Sequence, residues 1–337
     1  MNLATSYLGL DLRNPLVASA GPMTQTADRI ERLAEAGVAA VVLPSLFEEQ
    51  IRAEADRDER LAEVGIDSFG EATSYLIDPD VSLWPRQYLD LIQRAAKPGI
   101  PVIASLNGST PGGWTGYARA VQDAGAAAIE LNIYYLPGDP PPGSASPFAS
   151  GPDAEKQYVD ILTAVKSVVS IPVAVKLAPY FSSLGDMALR LERAGADGLV
   201  LFNRFMQTDI DPETLTVSTG FKLSSPAEAT LSRSWIARLR GQVRSSLAGS
   251  TGVETADDVA AYLLAGADAV MTTSALLRHG PGHVTALLDG LTAWMGRKGA
   301  GSLAEIRGLL ADATPLRFGR YGYLSAVEQA TRAHSSQ

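Results

Sequence analysis

Residues 123–133 read DAGAAAIELNI, and the same grammar recurs at 35–45 (EAGVAAVVLPS), 193–203 (RAGADGLVLFN) and 264–274 (LAGADAVMTTS). In each, a helical pattern ends at Ala, a Gly stands where a left-handed C-cap is wanted, and small residues lead into a short apolar run. A second phrase alternates with the first: NPLVASAGP from Asn14, IPVIASLNG from Ile100, IPVAVKLAP from Ile171 and SSLAGSTGV from Ser245. Counted together, the two phrases give eight strands. Strands this apolar are covered on both faces, and the segments between them, such as GYARAVQDAG (116–125) and ADDVAAYLLAG (256–266), carry helical periodicity. The expected fold is therefore α/β, a parallel eight-stranded (β/α)8 barrel of the TIM type, in preference to an open doubly wound sheet. One barrel domain is expected over 1–337. Loop insertions are expected at its C-terminal face over 45–99 and 204–226, and a terminal helix and tail over 301–337.

The bulk numbers narrow the function. With 337 residues, 46% hydrophobic and 19% charged, the chain can bury a large core. A net charge of −9 argues against nucleic acid, whose phosphates need clustered Lys and Arg. No apolar run approaches the roughly 20 residues that span a bilayer, and MNLATSYLGLDLRNP lacks a basic region followed by an apolar one. A soluble, cytoplasmic protein with no membrane partner is the expectation. The chain has no Cys, which excludes disulfides, a thiolate nucleophile, Cys-ligated zinc and iron–sulfur clusters. It has three His, two of them at 279 and 283 beside glycines, and no metal site is expected.

Catalysis on such a barrel sits where the strands end. Glu130 and Asn132 are two apart on strand four and share an inward face. Lys176 stands in an apolar strand five just before a turn, where an ammonium needs an opposite charge or dipole to offset its desolvation. Two readings stand side by side: a structural ion pair between Glu130 and Lys176, or a cation aimed at an anion above the barrel. After strand seven, AGSTGVETADD (248–258) supplies Gly249 and Gly252 for close backbone approach to a ligand, and Thr255 with Asp258 makes a capping-box helix start whose amides favour an anion. TTSALLRHGPG (272–282) follows strand eight as a second small-residue turn. Together these loops point to a phosphate-bearing cofactor.

Taken together, NPLVASAG (14–21), ELN (130–132), VKLAPYF (175–181), GSTGVETADDVAAYLLAGAD (249–268) and TTSALLRHGP (272–281) resemble the dihydroorotate dehydrogenases, nearly end to end and closer to their soluble class. The resemblance implies FMN as cofactor. Asn132 and Lys176 would meet the isoalloxazine ring, with Lys176 near N1 and O2, where negative charge collects on reduction. Ala20 and Gly21 would lie beside the ring, Asn203 nearby, and Gly249, Ser250, Gly252, Thr272, Thr273 and Ser274 around the phosphate. Glu130 would orient Lys176 from one layer deeper. Electrons are expected to leave through a diffusible acceptor or a partner subunit, because the chain carries no cluster relay, and a tendency to homodimerise is implied.

The substrate side departs from the family pattern. Where the family has a Lys after strand two, this chain has Pro44 and Ser45; Asp67 stands where a loop amide belongs; Tyr134 and Tyr135 replace the Ser-Cys that carries the base; Arg204 follows Asn203 after strand six. The small-molecule substrate would thus meet Asp67, Asn132, Asn203 and Arg204, with Lys176, Tyr135 and Tyr134 as the catalytic candidates. A phenol is a poor base near neutral pH unless a cation such as Arg204 or Lys222 assists it, so the tyrosines read either as proton-transfer groups or as an aromatic wall. Arg204 would hold a carboxylate in a two-pronged contact. Three functions follow. The first is an FMN oxidoreductase transferring hydride between the CH–CH bond of dihydroorotate or a related ring and flavin N5, the second a flavin-binding protein without dehydrogenase chemistry, and the third a non-flavin barrel lyase using Lys176 as a Schiff base.

Overall fold

The four glycines that end the repeated helices all lie in the left-handed region, Gly37 at φ 110°, Gly125 and Gly195 at 99° and Gly266 at 112°. Each lets the chain leave a helix and enter a strand within a few residues. The structure is a computed structural model that describes residues 1–51, 85–108, 114–133, 149–204, 209–218, 222–311 and 320–334. The strands are β1 (Leu16–Ala18), β2 (Ala40–Phe47), β3 (Val102–Asn107), β4 (Ala128–Asn132), β5 (Val173–Leu177), β6 (Gly198–Leu201), β7 (Ser246–Gly249) and β8 (Ala269–Thr272). All pair in parallel in chain order, and β8 pairs back onto β1, closing an eight-stranded barrel. Around it lie α1 (Ala27–Glu35), α2 (Pro85–Ala95), α3 (Trp114–Asp123), α4 (Gly151–Lys166), α5 (Leu184–Arg193), α6 (Ala229–Leu239) and α7 (Ala256–Ala265). A short α8 (Ser274–His279) precedes α9 (His283–Lys298). The fold is the (β/α)8 barrel that the repeat implied.

Period-two alternation sorts the strand residues into two cores. Leu16, Leu43, Ile129, Val175, Leu199, Leu247 and Val270 pack outward with the helices, while Val17, Val42, Ile103, Ala128, Ala174, Val200, Ala248 and Met271 fill the barrel. An N-terminal hairpin, Thr5–Tyr7 with Leu10–Leu12, belongs to the interior core through Tyr7, Leu8 and Leu12. Burial first, and then the negative charge of Glu130, push the Tyr7 phenol well above its ordinary range, so it enters the barrel neutral.

Regular structure occupies both ends of the 45–99 stretch. Strand β2 continues to Phe47 across a register shift between Val42 and Ser45, where Pro44 has no N–H to give the ladder. Helix α2 buries Tyr88, Leu91, Ile92 and Ala95. The 204–226 stretch holds a two-stranded hairpin, Asp209–Asp211 with Thr216–Ser218. The tail differs from the expected helix over SLAEIRGLLADATP. Among its described residues one helical turn forms, Leu303–Ile306, and Gly308 at φ 77° redirects the chain so that the amides of Gly308 and Leu310 bond to the carbonyls of Leu263 and Leu264. The long C-terminal helix is Arg320–His334. Among the described residues no helix is long and apolar enough to cross a membrane.

Candidate active site

Register places the polar strand ends side by side. Asn107 on β3 pairs with Asn132 on β4, and Asn132 with Lys176 on β5, while Ser105 pairs with Glu130 one layer below. Lys176 Nζ donates to Glu130 Oε1 at 3.2 Å and to Ser19 Oγ, at the end of β1, at 3.4 Å. The exposures, 7% for Lys176 and 1% for Glu130, make this a buried pair, in which each charge offsets the desolvation of the other. An ammonium has three N–H groups, so one remains for a further acceptor. Above the pair, Asn203 Nδ2 donates to Asn132 Oδ1 at 2.6 Å, Asn132 Nδ2 donates to Ser45 Oγ at 3.4 Å, and Ser45 and Ser105 share a hydroxyl bond of 2.9 Å. The barrel mouth is thus floored by amides, hydroxyls and one compensated cation.

The loops after β7 and β8 come together through Ser224. Its amide and hydroxyl both donate to Ser274 Oγ at 3.0 Å, its hydroxyl accepts from the Gly252 amide at 3.3 Å, and its carbonyl accepts from Arg278 at 2.7 Å. Ser274 Oγ therefore receives two hydrogen bonds and keeps its own proton to give away. Thr273 Oγ1 donates to Ser19 O at 2.8 Å and Thr272 Oγ1 to Val253 O at 3.2 Å, tying β1, β7 and β8 together. Gly21 lies against Thr273, where a Cβ would stand 2.6 Å from Cγ2. Ser250 is buried and its amide bonds to Leu201 O; beside it Thr251 holds φ 82°, a strained value for a β-branched residue, with the Tyr262 hydroxyl 2.8 Å from the carbonyls of both.

These contacts bear on three of the expected site features. The helix start at Thr255 is not open to an outside anion. The Asp258 carboxylate already accepts from the Glu254 and Thr255 amides at 3.2 and 2.9 Å, and Arg233 stands 3.7 Å from it. At Gly249 a Cβ would fall 2.2 Å from the Tyr262 ring, so packing alone already requires a glycine there. Arg204 Nε pairs with Glu228 at 3.0 Å and NH1 donates to the Lys222 carbonyl, while Lys222 itself pairs with Asp209 at 3.5 Å on the surface. Asp67, Tyr134 and Tyr135 lie outside the described residues. Ala20 is partly buried at the end of β1.

Ser19, Ser105, Asn107 and Ser224 stand among the candidate site residues without having been singled out in the sequence. For Asn107 a signal existed, since SLN at 105–107 repeats the polar-x-Asn spacing of ELN at 130–132. Beyond Ser274, Glu254 accepts from Arg278 at 2.5 Å and meets His279 Nε2 at 2.6 Å, and the His279 and His283 rings stack with centroids 4.6 Å apart. Burial works to raise the Glu254 carboxyl, but the hydrogen bond from His279 and the Arg278 guanidinium outweigh it and hold the group below the ordinary glutamate range. A depressed carboxyl contributes stability that is complete above its unfolded pKa and lost as pH falls through its folded one. Thermal unfolding of the protein and of Glu254→Gln should therefore differ fully at neutral pH, and the gap should close on acidification through that lowered range. A gap independent of pH would contradict the pairing.

A closed parallel barrel with a lysine-centred polar cluster at the C-terminal strand ends, and a small-residue knot joining its last two loops, defines a barrel enzyme with its site at that face. The family model for dihydroorotate dehydrogenase matches residues 2–295. The chain is 30% identical to the catalytic subunit of dihydroorotate dehydrogenase B (NAD(+)) of Methanothermobacter thermautotrophicus, over 92% of this chain and 99% of that protein. It is 26% identical to the same subunit of Thermoplasma acidophilum, over 91% and 98%, and 31% identical to a putative dihydroorotate dehydrogenase A (fumarate) of Aeropyrum pernix, over 65% and 70%. The chain belongs to the dihydroorotate dehydrogenase family and is an oxidoreductase of that family.

Proposed function

We propose that the protein is an FMN-dependent oxidoreductase that dehydrogenates, or hydrogenates, a CH–CH bond in a small ring. The observation that carries this is Lys176, an ammonium held in the barrel mouth by Glu130 and Ser19 with one donor left over, beside the Asn132 and Asn203 amides. The donor set fits a flavin. The barrel offers a fixed cation and amides, and the loop after β8 offers the spare Ser274 proton.

When bound, FMN exchanges hydride with the substrate carbon. Lys176 and Asn132 would hold the electron-rich edge of its ring, Ala20, Gly21 and Asn203 would flank it, and Ser250, Gly252, Thr272, Thr273 and Ser274 would surround its phosphate. Glu130 fixes the position of the ammonium. An ammonium held by a carboxylate lacks the lone pair that a Schiff base needs, which favours the flavin reading over a lyase. On the substrate side, Asp67, Tyr134 and Tyr135 keep the roles assigned from the sequence. A diffusible acceptor would take the electrons from the reduced cofactor. The test is the visible spectrum of the purified protein with analysis of what denaturation releases. A flavin spectrum and stoichiometric FMN support the reading, and a colourless protein that does not take up added FMN overturns it.

A further inference from the structure

Ala40, Ala128, Ala174, Ala248 and Ala269 line the barrel interior, and at Gly198 a Cβ would stand 2.4 Å from Leu8 Cδ2. Side chains this small leave room, and the N-terminal hairpin takes it up. The Leu8 amide donates to Ser246 Oγ at 3.0 Å, Thr5 Oγ1 donates to Asp268 O at 3.0 Å, and Tyr7, 1% exposed, stands inside the barrel. Its hydroxyl has no hydrogen-bond partner among the described residues, and neither has Glu130 Oε2, although both atoms are buried. The other polar groups around them are matched. Asp268 accepts from Arg240 at 3.1 Å and from the Leu247 amide at 2.9 Å, and pairs with Arg307 at 3.0 Å. The Tyr88 hydroxyl accepts from the Ser105 amide at 2.8 Å and donates to Ser105 O at 3.2 Å, and Glu130 Oε1 is held by Lys176. What remains is one donor and one acceptor. After burial itself, Glu130 is the charge that acts most strongly on the phenol. A buried polar atom left unmatched is costly, and internal water is the usual partner where two such atoms face the same interior.

We infer that one buried water accepts from the Tyr7 hydroxyl and donates to Glu130 Oε2, making Tyr7 a positioning residue for the carboxylate that holds Lys176. The link stands on the barrel alone, and its consequence for the cofactor rests on the flavin reading above. Held at both oxygens, the carboxylate keeps one orientation beneath the ammonium. The two O–H dipoles point their positive ends toward Glu130 and offset part of its charge. Without them the carboxylate cancels more of the Lys176 charge, and less of that charge reaches the barrel mouth.

Tyr7→Phe keeps the ring and deletes only the hydroxyl. In the FMN-loaded protein it is expected to lower the reduction potential of the flavin by the equivalent of a threefold or larger change in equilibrium constant, about 14 mV for two electrons. In a Lys176→Met/Glu130→Leu background the same substitution should leave the potential where it was, since the group it acts through is gone. An unmoved potential in Tyr7→Phe alone, or an equal shift in both backgrounds, overturns the positioning role. The link is read without cofactor. A crystal structure that resolves ordered solvent is expected to show one water about 3 Å from both Tyr7 Oη and Glu130 Oε2, and a dry interior or a hydroxyl bonded elsewhere overturns it. A protein that holds no FMN would fail the flavin reading and still leave the water to be found, so the two failures are distinct.

Discussion

Replacing Lys176 by Met and Glu130 by Gln together is expected to give a protein that folds, retains FMN and undergoes flavin reduction about 10²–10³-fold more slowly. The two must be changed together. Glu130 is 1% exposed and Lys176 Nζ lies 3.2 Å from Oε1, so removing the ammonium alone would strand a buried carboxylate and confuse a folding defect with a chemical one. Exchanging a whole buried pair for neutral groups of similar size is often close to neutral for stability. The lost rate would then report the lost charge. Anaerobic stopped-flow bleaching by 5,6-dihydrouracil or dihydroorotate, whichever reduces the unmodified protein, measures it. Equal rates in a fully FMN-loaded variant would remove Lys176 from the chemistry.

Glu130→Leu alone is expected to cost about 3–5 kcal/mol in folding stability, the largest single-site loss anticipated outside the hydrophobic cores. The ammonium left behind would have Ser19 Oγ at 3.4 Å and no compensating charge among its hydrogen-bond partners. Denaturant unfolding with and without added FMN gives the number, and the loss should appear in both. A loss below about 1 kcal/mol would mean that Lys176 finds another counter-charge once Glu130 is gone.

The barrel was legible because its information is local and repeated: Gly37, Gly125, Gly195 and Gly266 end helices in the same way, and each is followed by an apolar strand. The Glu130–Lys176 pair was legible for a related reason, since charges inside apolar strands are costly enough to stand out, and register on neighbouring strands makes them partners. What escaped depends on long-range contacts. Ser224 is an ordinary loop serine until folding sets it against Ser274 and Gly252, and Gly249 resembles a ligand-loop glycine until the Tyr262 ring is seen beside it. The partner of Arg204 is equally long-range: Glu228, which also accepts from the Ser225 amide in a capping box, meets it only once the chain is folded.

A fixed positive charge at the end of β5 would stabilise charge gained by the cofactor when electrons arrive. The most direct measurement is the two-electron reduction potential of bound FMN in the unmodified protein and in Lys176→Met/Glu130→Gln. A potential lower by about 30 mV or more is expected in the double variant, equivalent to roughly 1.4 kcal/mol for a two-electron couple. Unchanged potentials at full FMN occupancy would contradict it.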